Sequence, residues 1–296
     1  MDTFWQTARF EVRYHLKQPS FYLFYLMTIA QGFLYGLNVV ESDSIGLRYS
    51  NAPGLFFSVF STVGVVLTTL AALLTGQSLL RDRTYRVGDY LYALPLDEHL
   101  YFAGKLMGVL GTCILLSTGV GFGLLALPIW TSLPTGPFPL AAILISFGSL
   151  LVPNLLIIVS LAYALTAFFQ RMAGAYLALL ALVVGQVLFR IGENTVVGND
   201  LLLLFDPFGH ILIREALSQQ SPAGQLAGTL PFPDLLLINR LLWLGLSGGL
   251  LVRAADRLTF QQWASLESGR ANRGLSAEKT LLADSVPFPA LHRQFT

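Results

Sequence analysis

Long apolar runs separated by short polar segments set the pattern of this chain, and the clearest break in it lies at 81–105. Residues 54–80 precede that segment and residues 106–130 follow it, and neither run contains an Asp, Glu, Lys, Arg or His. Roughly 20 apolar residues in a helix cross the hydrocarbon of a bilayer with every backbone group satisfied internally. The pattern predicts six such spans, over about 21–40, 54–80, 106–130, 139–169, 172–189 and 235–252. The segment 81–105 reads RDRTYRVGDYLYALPLDEHLYFAGK, so it is expected outside the apolar layer. Within it, 86–94 is predicted to form a helix with Arg86, Tyr90 and Leu94 on one stripe, Asp89 beside them and Pro95 closing it.

Ahead of the first span, 3–18 predicts an interfacial helix. At about 100° per residue Phe4, Trp5, Ala8, Val12 and Leu16 share a face, and Arg9, Arg13 and Lys17 line its flank, where they can meet anionic lipid. A cytosolic, partly helical tail is the alternative. Pro19 ends this helix and turns the chain into the membrane. The third span carries Gly108, Gly111, Gly119, Gly121 and Gly123, small residues that permit close helix approach. In the fourth, Pro153 predicts a kink, either a flexing point or a purely structural bend. Between spans five and six, 201–205 and 211–217 are too short to cross and read as helices dipping into the outer interface. Arg240 interrupts the sixth span and is expected to snorkel to that interface. Residues 1–260 thus form one all-α membrane domain, followed by a polar tail at 261–296.

Composition agrees, with 54% hydrophobic and 12% charged residues against about 25% charged in soluble domains. Of the 18 Lys and Arg, 14 fall on one side if both termini are cytoplasmic, which orients the chain by the positive-inside rule and places the 81–105 loop in the cytoplasm. The start of the chain lacks the pattern of a cleavable signal peptide, so the first span is expected to act as an uncleaved anchor in the cell membrane. The single cysteine, Cys113, lies inside an apolar run and reads as a buried small residue. Four scattered histidines offer no metal-ligand spacing, and Ser117, Ser146 and Ser160 have no base nearby, so no catalytic, cofactor or metal residues are assigned. The string Leu246-Ser247-Gly248-Gly249-Leu250 echoes an ATPase signature loop. It lies in an apolar run without a phosphate-binding loop and is read as helix packing. The first five spans hold no Asp, Glu, Lys, Arg or His, so ion-coupled transport is not expected from them.

With an N-terminal interfacial helix, six spans and a loop carrying Arg83, Arg86-Val87-Gly88, Tyr90, Leu94-Pro95 and Gly104-Lys105, the chain resembles the ABC-2 type permeases, the membrane subunits of ABC transporters. The resemblance implies a substrate path formed by this chain and a loop acting as the coupling helix on a separate ATPase that binds the ATP. Arg83, Arg86, Asp89, Tyr90, Leu94, Pro95 and Asp97 are its expected contact residues. It also implies a second membrane half, from a copy of this chain or a related one, with export as the direction. A narrower resemblance, carried by FEVRYHLKQPSFYLF, Asp206-Pro207-Phe208-Gly209 and Asn239-Arg240-Leu241-Leu242-Trp243-Leu244, is to the first membrane half of permeases fused to an M1-type aminopeptidase. The chain ends at Thr296 without an HExxH motif, so no peptidase activity is implied. The contrasting expectation is a membrane anchor or scaffold that transports nothing. Nucleic acid is not an expected partner.

Overall fold

A computed structural model describes residues 2–42, 47, 49–62, 64–85, 87–192, 200–219 and 234–260, and the tail 261–296 lies outside the described residues. The described residues are helical, with no strand among them. In chain order the helices are α1 (Asp2–Leu16), α2 (Pro19–Glu41), α3 (Pro53–Thr62), α4 (Gly64–Thr84), α5 (Gly88–Ala93) and α6 (Glu98–Leu125). They continue with α7 (Leu140–Ser146), α8 (Val152–Phe169), α9 (Ala173–Ile191), α10 (Asp200–Leu204), α11 (His210–Ser218) and α12 (Asp234–Ala255). Four helical stretches, Pro19–Glu41, Glu98–Ile129, Leu140–Phe169 and Asp234–Ala255, are long and apolar enough to cross a membrane. Their outward side chains are apolar, as with Leu23, Leu26 and Leu34 on α2 and Leu237, Leu241 and Leu246 on α12. That is the surface a hydrocarbon solvent requires.

Helix α6 is the spine. Both α1 and α2 run along it in the same direction, α1 beside its first turns and α2 beside the rest. Small residues permit this closeness: a Cβ at Gly32 would fall on the Val120 carbonyl, and one at Gly123 on the Ile29 carbonyl. Gly104 and Gly108 do the same for α1, lying against Phe4, Thr7, Ala8 and Glu11. By contrast, Gly245, Gly248 and Gly249 of α12 have nothing within 4 Å of a Cβ position among the described residues.

The run 54–80 is not one continuous helix. Its axis bends by 46° between Pro53–Thr62 and Val65–Thr84. Backbone groups released at the bend are taken up by side chains from other helices. Asn154 donates to Ser61 O at 3.2 Å, Gln186 donates to Thr62 O at 2.7 Å, and Gln31 accepts the Leu67 N–H at 3.0 Å. Three amides supplied by α8, α9 and α2 therefore offset what the break would cost in an apolar interior.

The irregularity expected at Pro153 falls just ahead of it. Residues Phe147–Leu151 form a π turn, with the Val152 N–H reaching back to Phe147 O. Pro153 follows in the first turn of α8, where its missing N–H is tolerated.

Arg240 does not snorkel. It is 6% exposed, donating through Nη1 to Asn154 Oδ1 at 2.7 Å and through Nη2 to Phe208 O. Its neighbour Asn239 donates to the carbonyls of Leu204 and Asp206 at 2.9 and 2.8 Å. The Asp206 carboxylate accepts the N–H groups of Phe208 and Ile211. The 206–209 turn, with Gly209 at φ 63°, is thereby bolted to α12. Arg240 points inward because that turn presents a carbonyl to Nη2 and Asn154 a second acceptor to Nη1, two charge-assisted bonds that offset the burial of the guanidinium.

Candidate functional site

At the other end of the bundle, the last turn of α4 and the first turns of α6 meet α1 around a cluster of buried charges. Glu11 is fully buried. Gly108 makes this possible, since its missing side chain leaves the space that the Glu11 Cβ fills. Arg81 donates to the Glu11 carboxylate through Nη2 at 2.5 Å and Nη1 at 3.1 Å, and its guanidinium lies 4.1 Å from the Tyr14 ring centroid. Lys105, 1% exposed, donates to Asp82 and to Ser78 O at 2.9 Å, and its Nζ lies 4.0 Å from Glu11 Oε1. Tyr101 donates to the same Asp82 oxygen at 2.8 Å. Two carboxylates face two cations, so formal charge cancels within the cluster. Burial of this kind is tolerated because each ion has a partner, with Ser78 O accepting further from Lys105 and Tyr101 donating further to Asp82.

Both ends of 81–105, a segment expected in water or at the headgroups, are instead wholly or partly buried against other helices. Arg81 and Asp82 belong to α4, Lys105 belongs to α6, and Glu11 is what draws them in. Ionisable groups thus do sit within the helix bundle. The apolar face expected for α1 is corrected as well. Ala8, Glu11 and His15 turn inward, while Trp5 turns out. His15 Nε2 is 3.8 Å from Glu11 Oε2, and burial lowers its pKa below the ordinary imidazole value, the more so with the Arg81 charge nearby, although Glu11 acts in the opposite sense.

Further contacts converge on the same place. Arg83 Nη1 donates at 2.9 Å to the carbonyl of Gln170, the left-handed residue that caps α8. Tyr163 of α8 donates to Phe102 O at 2.9 Å. Glu98 accepts the Phe260 N–H at 3.2 Å, and the Phe260 ring packs on Tyr101 and Phe102. Helices α1, α4, α6 and α8 and the segment after α12 are thus tied together under the loop.

Of the expected loop contacts, Tyr90 is 74% and Leu94 52% exposed, and Pro95 is exposed beside them. Helix α5 is shorter than the expected 86–94, spanning Gly88–Ala93. Leu94 is extended at φ −90° and ψ 143°, as the residue before a proline must be, so it is not a helical neighbour of Tyr90. Asp97 acts as the N-cap of α6, accepting the Leu100 N–H at 3.1 Å, a structural role that occupies the carboxylate. Arg86 and the side chain of Asp89 lie outside the described residues. A groove of about 510 Å³ opens beside the charge cluster, lined by Phe10, Tyr14, Arg81, Asp82, Tyr85 and Tyr101 among others.

Glu11 was missed by periodicity because it stands on the inward face beside Ala8, among positions read as apolar. The signal available was its position four residues before His15 and three after Ala8, opposite the Arg9 and Arg13 flank. Compared with known proteins, the chain matches no family model, and no curated protein matches it either.

Proposed function

We propose that this chain is the membrane subunit of an ABC-type exporter and that its 81–105 loop docks a separate ATPase. The observation that carries this reading is the contrast within the loop. Its base is locked into the bundle by Glu11, Arg81, Asp82 and Lys105, while its tip presents Tyr90 and Leu94 to solvent. Large apolar groups held out from a rigid base suit insertion into a partner's groove. A push on the tip would reach α1 through Arg81, α6 through Asp82 and α8 through Arg83.

In this reading the bent pair α3 and α4 counts as one span and α9 as another, which with the four long helices makes six. Both termini lie in the cytoplasm, by the charge asymmetry, and a second membrane half completes the path. The tyrosine and leucine at the tip supply binding, Arg83 and Pro95 shape the loop, Asp97 starts α6, and the ATP is bound by the partner.

The test is Tyr90→Ala with Leu94→Ala in cells that also make the cognate ATPase. Truncating buried interface anchors costs about 2 kcal/mol or more each. ATPase recovered with the permease should fall at unchanged permease abundance, and transport should fall with it. Wild-type recovery and transport by the double variant would defeat the docking assignment. A loop that retains a partner lacking ATPase activity would favour the anchor reading instead.

A further inference from the structure

The outer face of α1 carries a feature that loop docking does not use. Trp5, Gln6, Arg9, Phe10 and Arg13 line a groove of about 470 Å³. Trp5 is 60% and Phe10 58% exposed, and Arg9 and Arg13 are exposed one turn apart. Lys17 continues that stripe four residues on, also exposed. Glu11, the one carboxylate among the described side chains of α1, is turned away into the bundle. Among the described residues neither Arg9 nor Arg13 forms an ion pair.

We infer that this groove binds the phosphate headgroup of an anionic phospholipid. Two guanidinium groups on successive turns, with the Gln6 amide beside them, supply several N–H donors around one groove for a phosphate. Trp5 and Phe10 flank them with the aromatic surface characteristic of the headgroup layer. Lipid is favoured over a soluble anion by continuity with the apolar surface of α2. Starting a few residues after Lys17, Tyr22, Leu23, Leu26 and Met27 are exposed on the adjoining helix, so acyl chains would lie along α2 while the headgroup meets α1. The inference needs only that α2 crosses the membrane, not that the chain is a transporter.

The experiment is thermal unfolding of the detergent-solubilised full chain, titrated separately with dioleoylphosphatidylglycerol, dioleoylphosphatidylcholine and inorganic phosphate. Phosphatidylglycerol should raise the melting temperature, with no matching effect of the other two. In Arg9→Gln/Arg13→Gln the apparent phosphatidylglycerol affinity should drop about tenfold or more, as loss of two cations near an anionic headgroup implies. Basal melting should stay unchanged, since both side chains are exposed. Arg253→Gln/Arg257→Gln, which removes two exposed cations elsewhere, should keep the wild-type response. Three outcomes would overturn the site: equal stabilisation by phosphatidylcholine, full stabilisation by inorganic phosphate, or an equal loss in both double variants. Should the α1 variant melt lower at the outset, Arg9→Lys/Arg13→Lys decides the matter. It keeps both charges and should respond more strongly than the Gln pair, and a response no stronger would overturn the site.

Discussion

Arg81 and Glu11, 70 residues apart in the chain, form a two-point ion pair in which Nη2 and Nη1 of one residue reach Oε1 and Oε2 of the other. The pair joins the entry of the charged loop to the first helix. Lys105, at the loop's exit, lies within 4.0 Å of the same carboxylate. One buried Glu thus fixes the separation of the two helices between which the loop is hung.

Removing one member of this pair should cost more than removing both. Glu11→Gln leaves Arg81 and Lys105 competing for a neutral acceptor, and breaking a buried pair on one side typically destabilises by about 3 kcal/mol or more. Arg81→Met combined with Glu11→Met should recover a large part of that loss. Denaturation of the purified variants gives the coupling energy, and strict additivity of the two single effects would show that the contact is not formed.

His15 adds a pH dependence of defined sign. Its pKa in the folded chain lies below the ordinary value of 6.5, because burial disfavours the imidazolium. As pH falls below about 6.5 the unfolded chain takes up the proton first, so stability from this residue is present above that pH and declines beneath it. Melting temperatures compared between pH 7.5 and 5.5 should show a smaller acid loss for His15→Gln than for the natural chain. Identical acid losses would remove His15 from the account.

The α2–α6 contact predicts opposite outcomes for similar substitutions. Gly32→Ala and Gly123→Ala each place a methyl group against a backbone carbonyl that cannot retreat, and overpacking of this kind costs about 1–3 kcal/mol. Gly245→Ala meets nothing within 4 Å and should be neutral or slightly stabilising. Thermal melts of the three variants check this, and a uniform response would contradict the packing.

On the opposite side of the bundle, Asn154→Leu removes both the acceptor for Arg240 Nη1 and the donor to Ser61 O. The expected loss is about 1–3 kcal/mol, the cost of stranding buried polar groups. Hydrogen exchange should rise at 206–213, because Arg240 also holds the Phe208 carbonyl. Arg240→Lys should not restore protection, since one ammonium cannot reach two diverging acceptors as the guanidinium does. Unchanged exchange in both variants would exclude the bolt.

The helices and their outward apolar surface were legible in the linear chain, since apolar length and the absence of charge are local properties that a hydrocarbon solvent enforces residue by residue. The use of Gly108, Gly119 and Gly123 for close approach was legible for the same reason, although which helix each would meet was not. The bend near Thr62 left no mark in hydropathy, because it depends on amides contributed by Gln31, Asn154 and Gln186 from three other helices.

Glu11 and Arg240 show where the linear pattern stopped. Alone, each is a charge that should seek water. Their burial was decided by partners 70 and 86 residues away, Arg81 and Asn154, whose hydrogen bonds replace the hydration each would lose. The sequence therefore determined that helices form and which faces are apolar, through local composition and the solvent it requires. Only the tertiary structure decided which charges leave that solvent, because the free energy of a buried charge belongs to the pair and not to the residue.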